Sequence, residues 1–140
     1  MITINKSTRK EVKKFNDFEW IDADKHYYGE ATHWITRNFV FKAEEDDKIV
    51  GNIYGKFTSG VLYIEDLMID KNKRGLGIGK MLVEQAEEFG RKLGGHRVWL
   101  ITGRSWKEPR AFYEKLGYKK TGDLVDHYKH TDFVVYEKSL

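Results

Sequence analysis

The segment Arg74-Gly75-Leu76-Gly77-Ile78-Gly79-Lys80 joins two stretches of different periodicity, and that junction constrains the chain more than any other feature. Before it, Val61–Ile69 is an apolar run of strand length, interrupted only by Glu65 and Asp66. After it, Ile78, Leu82, Ala86, Phe89 and Leu93 form one apolar stripe at helical spacing, so Gly77 to Leu93 reads as a helix that Gly94-Gly95 ends. The order is strand, glycine loop, helix. Alternate glycines let a backbone turn sharply and come close to a ligand. The loop N–H groups, with the positive end of the helix dipole behind them, suit phosphate, and Arg74 adds a forked donor set. The spacing is not the dinucleotide fingerprint. Met81 after Lys80 also removes the Ser or Thr that a nucleoside-triphosphate loop needs for magnesium.

The other segments build a sheet around that unit. Ile2–Ile4 reads as a short strand. Thr8 to Tyr28 reads as one or two helices, with Val12, Phe15, Phe18 and Ile21 at helical spacing. Phe39–Ala43 and Ile49–Phe57 read as an antiparallel hairpin around Glu44-Glu45-Asp46-Asp47, and Ser59-Gly60 marks the next turn. Val98–Thr102 is a strand. Pro109 to Leu116 is a short helix with proline in its first turn and Gly117 as its stop, and Tyr118–Thr121 and Phe133–Glu137 are closing strands. A mixed sheet with helices on its faces follows. The chain has 140 residues, one proline and no linker, repeat or low-complexity stretch, so one domain over 1–140 is expected.

Composition removes several classes. With no cysteine there is no thiol catalysis, disulfide or thiolate metal site. No apolar run approaches the roughly 20 residues of a membrane helix, and no signal peptide is legible at the start of the chain. A soluble, cytoplasmic protein is the expectation. The net charge of +3 comes from scattered basic residues, which argues against a nucleic-acid-binding domain.

Glu65 and Asp66 stand inside the apolar run, where an unpaired buried carboxylate costs several kcal/mol or shifts its pKa. Adjacent strand residues point to opposite faces. Either both acids are paired structurally, or at least one faces a wet cleft and handles protons or a cationic substrate. On the last helix, Phe112 and Leu116 share a face at a four-residue spacing, and Tyr113 points away from them. A phenol there is a potential proton donor or a half-buried aromatic.

Two segments resemble the GNAT acetyltransferase superfamily. Arg74 to Gly79 is similar to its R-x-x-G-x-G pyrophosphate loop, and Phe112-Tyr113-Glu114-Lys115-Leu116-Gly117-Tyr118 to its F-Y-x-x-x-G-[FY] segment. The likeness covers roughly residues 40 to 140. It implies an α/β (α+β) fold with a mixed, mostly antiparallel central sheet and helices on both faces. It implies acetyl-CoA as donor, with Arg74, Gly75, Leu76, Gly77, Ile78, Gly79 and Lys80 at the pyrophosphate. It also implies that main-chain groups of Leu67, Met68 and Ile69 bind the pantetheine arm and polarise the thioester. Tyr113 is then the candidate acid for the leaving thiolate. Tyr63-Ile64-Glu65-Asp66-Leu67 is similar to a strand of diamine and polyamine acetyltransferases, whose acids serve the amine. Trp106 departs from the pattern, since it replaces an Asn that often contacts the cofactor, and the approach Lys107-Glu108-Pro109-Arg110 is one residue short.

Asp126-His127-Tyr128-Lys129-His130-Thr131-Asp132 can be read as a solvated loop, a substrate gate or, least well, a metal cluster; no metal is expected. Trp20, Tyr27 and Tyr28 beside Glu19, Asp22 and Asp24 suit a cationic amine or an ordinary amphipathic helix. The expected activity is acetyl transfer from acetyl-CoA to a primary amine by direct attack, with a small polyamine-like or aminoglycoside-like acceptor, in a monomer or homodimer. A protein N-terminus or lysine is the second acceptor class, and a non-catalytic acyl-CoA-binding module is the rival of another kind.

Overall fold

The computed structural model describes residues 1–30, 32 and 34–140. Its contacts divide the chain into two units, residues 1–34 and 35–140. In the first unit, α1 (Arg9–Tyr28) is one continuous helix. The Thr8 hydroxyl caps it by accepting from the Glu11 N–H at 3.2 Å, and Ser7 Oγ donates to the Glu11 carboxylate at 2.7 Å. Gly29 ends it at φ 82°, a left-handed angle open to glycine. Ile2–Ile4 is irregular rather than a strand. A strand needs a partner for its N–H and C=O groups, and no described strand pairs there.

The second unit runs β1 (Thr36–Glu45), β2 (Lys48–Thr58), β3 (Val61–Ile69), α2 (Ile78–Lys92), β4 (Arg97–Gly103), α3 (Lys107–Lys115), β5 (Lys119–Leu124), β6 (Phe133–Ser139). The six strands form one sheet in the order β1-β2-β3-β4-β6-β5. Every pairing is antiparallel except β3 with β4, which the α2 crossover joins in parallel. The mixed, mostly antiparallel sheet expected from the sequence is therefore present. Asp46 and Asp47 make the β1–β2 turn at φ 48° and 61°, a left-handed pair that aspartate tolerates and that matches strand twist.

Alternation along the strands separates a core face from an open one. Ile53, Phe57, Leu62, Val98, Leu100, Val134 and Tyr136 bury against Leu82, Val83 and Ala86 of α2. Helix α3 lies on that same side. Its Glu114 accepts from the Tyr136 hydroxyl at 2.5 Å, while Glu87 of α2 takes Lys138, two residues further along β6, at 3.0 Å. Glu87 is almost wholly buried but fully partnered, since it also accepts from the Tyr118 hydroxyl at 2.9 Å and from Arg91 at 3.3 Å. Among the described residues no helix is long and apolar enough to cross a membrane.

Candidate active site

Strands β3 and β4 pair over only Val61–Arg97, Leu62–Val98 and Tyr63–Trp99, then separate. Beyond Tyr63, β3 continues to Ile69 bonded only to β2, and β4 continues to Gly103 bonded only to β6. The split exposes main-chain groups that a sheet would normally use. Asp70 N–H donates to Val50 at 2.8 Å, which fixes the phase of the β2–β3 ladder. By antiparallel alternation Met68 and Asp66 then bond toward β2, and Leu67 and Ile69 turn their N–H and C=O groups into the split. The Ile69 carbonyl is met there by Arg74 Nε at 3.2 Å.

A bulge sits beside the split. Tyr54 pairs with Asp66 and Gly55 with Ile64, so Glu65 is an extra residue in β3. It breaks the alternation expected of adjacent side chains: Leu62 and Ile64 face the core before it, Leu67 and Ile69 after it. Both acids consequently reach groups on the open face. Glu65 Oε1 lies 3.7 Å from Lys56 Nζ, and Asp66 Oδ2 accepts from Asn52 Nδ2 at 3.2 Å. Lys56 stands between buried Gly55 and Phe57, and Asn52 between buried Gly51 and Ile53. Gly55 is required, because a Cβ there would lie 1.9 Å from the Tyr63 carbonyl. A glycine within an otherwise good strand is the sequence signal that marks this bulge. Asn52 and Lys56 were not singled out from the sequence, where they read as ordinary outward-facing residues.

The three loop glycines have different causes. Gly75 and Gly77 hold φ 76° and 83°, and a Cβ on either would meet nothing within 4 Å, so backbone conformation alone demands glycine. Gly79 has an ordinary backbone, but a Cβ would press on the Phe112 ring at 3.2 Å, so it lets α3 pack on the first turn of α2. No side chain caps α2 and no acid occupies its first turn. The first internal bond runs from Met81 N–H to Gly77 O, which leaves the N–H groups of Ile78, Gly79 and Lys80 available to an anion. Leu76 is exposed at the loop tip. Lys80 is exposed and 3.8 Å from Glu84. A groove along the flank of α2 starts at Lys80 and runs past Glu84 and Arg91 to Lys115.

Tyr113 is 8% exposed on the core side. Phe112, half-buried, packs edge-on against it at 5.0 Å, so the two aromatics share the core boundary rather than lying back to back. Burial, reinforced by the Asp66 carboxylate, pushes the Tyr113 pKa well above the ordinary phenol value. Trp106 precedes α3 and lies over Gly103, where a Cβ would be 2.3 Å from the indole. Its ring meets Phe133 at 5.4 Å. Tyr63 stacks on Trp99 at 4.2 Å at the vertex of the split. Burial, then the Tyr128 and Glu65 charges, pushes its phenol up as well.

The Asp126–Asp132 loop is held by its own side chains. Asp132 accepts from Arg104 at 2.7 Å and from the Asp126 N–H at 2.8 Å, and Asp126 holds His130 at 2.8 Å. Among the described residues no three metal-ligating side chains converge.

The split thus has two unlike sides: glycine loop and Tyr113 on the helix side, Glu65 and Asp66 on the open face, with Leu67 and Ile69 main chain between them.

A model of the acetyltransferase (GNAT) family matches residues 6–118. The chain is 38% identical over 87 residues to glucosamine 6-phosphate N-acetyltransferase of Trypanosoma brucei brucei, covering 57% of each. It superimposes on an acetyltransferase from Bacillus cereus with TM-score 0.75 and 24% identity, over 99% of this chain and 98% of that one. It also resembles Naa50 of Arabidopsis thaliana, solved with the bisubstrate analogue CoA-Ac-MVNAL, at TM-score 0.66 and 26% identity over 72% of each chain. The chain spans about half the length of the curated relatives it matches. With a matched family model across most of its length, and a sheet split beside a glycine-loop helix, the chain belongs to the GNAT acetyltransferase family.

Proposed function

We propose that residues 1–140 act as one cytoplasmic N-acetyltransferase domain that moves an acetyl group from acetyl-CoA to a primary amine by direct attack. The observation that carries this is the split, with uncapped helix-start N–H groups and a buried phenol on one side and two carboxylates on the other. The Arg74–Lys80 loop holds the pyrophosphate, and the Leu67 and Ile69 main chain lies along the pantetheine arm. The Leu67 N–H donates to the acetyl carbonyl oxygen as charge develops there.

An alkyl ammonium, pKa about 10, must lose its proton before it attacks. Asp66 or Glu65 takes that proton, directly or through a water. The amine nitrogen then bonds to the acetyl carbon, the carbon–sulfur bond breaks, Tyr113 gives its proton to the thiolate, and the proton shed by the acylated nitrogen restores the phenol. Burial keeps the Tyr113 phenol protonated, so a proton is present there when charge develops on sulfur.

A small acceptor, polyamine-like or aminoglycoside-like, is favoured by the acids on an open face and by a relative named for an amino sugar. A protein N-terminus is the second reading, supported by the likeness to a chain solved with a peptide-bearing analogue. Thiol release from acetyl-CoA across a panel of alkyl amines, amino sugars and peptides tests the proposal. Coenzyme A binding without release for any amine would leave a non-catalytic acyl-CoA-binding module instead.

A further inference from the structure

The open face carries an unequal charge count. Glu65 already faces the Lys56 ammonium at 3.7 Å. Asp66 has the Asn52 amide, and among the described residues no cation pairs with it. Arg97, on the next strand, is turned to Glu137 at 3.9 Å. Tyr63 and Tyr128, which also bear on this region, are phenols. Two carboxylates and one lysine leave a single uncompensated negative charge, placed on Asp66. One incoming ammonium balances it. A second ammonium a few carbons along the same acceptor finds no free carboxylate, because Lys56 already occupies Glu65.

We propose that Lys56 is a specificity-determining residue. By occupying Glu65 it favours primary amines whose reacting end carries no second cation close by, and so sets aside the polyamine-like acceptor of the two small-molecule readings above. The proposal rests on the reading of the open face as the acceptor side, and it narrows the amine class given above. It also divides the two acids. Asp66 receives the acceptor's ammonium, and Glu65 fixes Lys56 in place.

The test is calorimetric titration of the coenzyme A complex with butylamine and with the diamine of the same chain length. The parent, Lys56→Gln and Lys56→Arg are compared. Lys56 is half-exposed on a strand, so Lys56→Gln is expected to fold. The expected result is that the parent prefers the monoamine. Lys56→Gln should shift the ratio of affinities about tenfold toward the diamine, and Lys56→Arg should keep the parent ratio. Raising the salt should shrink the parent's preference. The same ratio in parent and Lys56→Gln overturns the proposal, and so does the absence of binding by either amine. Thiol release is measured separately. If the ratio shifts but no acetyl group moves, the transfer reading fails while Lys56 keeps its role.

Discussion

The phenol of Tyr113 and the carboxylate of Asp66 belong to opposite sides of the β3–β4 split, yet they are electrostatically coupled. Burial holds the phenol protonated, and the negative charge of Asp66 reinforces it. In the proposed reaction one group gives a proton and the other takes one, with the split between them.

Tyr113→Phe keeps the ring and removes the proton donor. Coenzyme A affinity should be nearly unchanged, while the chemical step slows by about a hundredfold or more. Thioesters whose thiols leave at lower pKa should be affected less. Single-turnover kinetics with two such donors checks this, and equal, small slowing for both would remove Tyr113 from the mechanism.

The raised phenols also predict alkaline behaviour. Tyr113 and Tyr118 both ionise above the ordinary value in the folded chain, mainly through burial. The unfolded chain loses those protons first, near pH 10, so stability is full below that pH and falls as pH rises beyond it. Each such phenol contributes a slope of about 1.4 kcal/mol per pH unit. Denaturant titrations between about pH 9 and 11 should show a shallower fall in Tyr113→Phe than in the parent.

Gly77→Val and Gly79→Ala should separate in effect. The first meets no neighbour but forces a β-branched residue to φ 83°, which distorts the loop. Coenzyme A affinity should fall at least about tenfold, or roughly 1.4 kcal/mol. The second presses on Phe112, so its cost should appear as lost stability of about 1 kcal/mol. Unchanged affinity in a folded Gly77→Val variant would remove the loop from the site.

Asp66→Asn and Glu65→Gln test the two acids. Loss of the proton acceptor should lower turnover most at low pH, where the acceptor amine is most fully protonated. Asp66→Asn is expected to show that tilt more strongly, since Glu65 already has Lys56. Superimposable pH–rate profiles for parent and Asp66→Asn would make Asp66 structural.

Lys138→Met should destabilise the fold without touching the split. It removes one of three partners from the buried Glu87 carboxylate and leaves Tyr118 and Arg91. A loss of about 2 kcal/mol in denaturant unfolding, with coenzyme A affinity unchanged, is the expected outcome.

The sequence alone determined the strand–loop–helix unit, the hairpin before it and the glycine loop. Those signals are local: the apolar stripe from Ile78 to Phe89, the left-handed demands of Gly75 and Gly77, and the acidic turn at Asp46-Asp47 depend on neighbours a few residues away. Only the tertiary structure decided where the two acids point. Alternation placed Glu65 and Asp66 on opposite faces, but the bulge turns both to Lys56 and Asn52, and a bulge exists only between two paired strands. The length of the split was hidden for the same reason. Nothing in Val61–Ile69 or Arg97–Gly103 states that pairing stops at Tyr63–Trp99, because strand separation is a relation between distant segments. Tyr113 could be named from its motif. Its burial and the influence of Asp66 on it arise from packing α3 on β4 and on the first turn of α2, and no spacing within α3 encodes that approach.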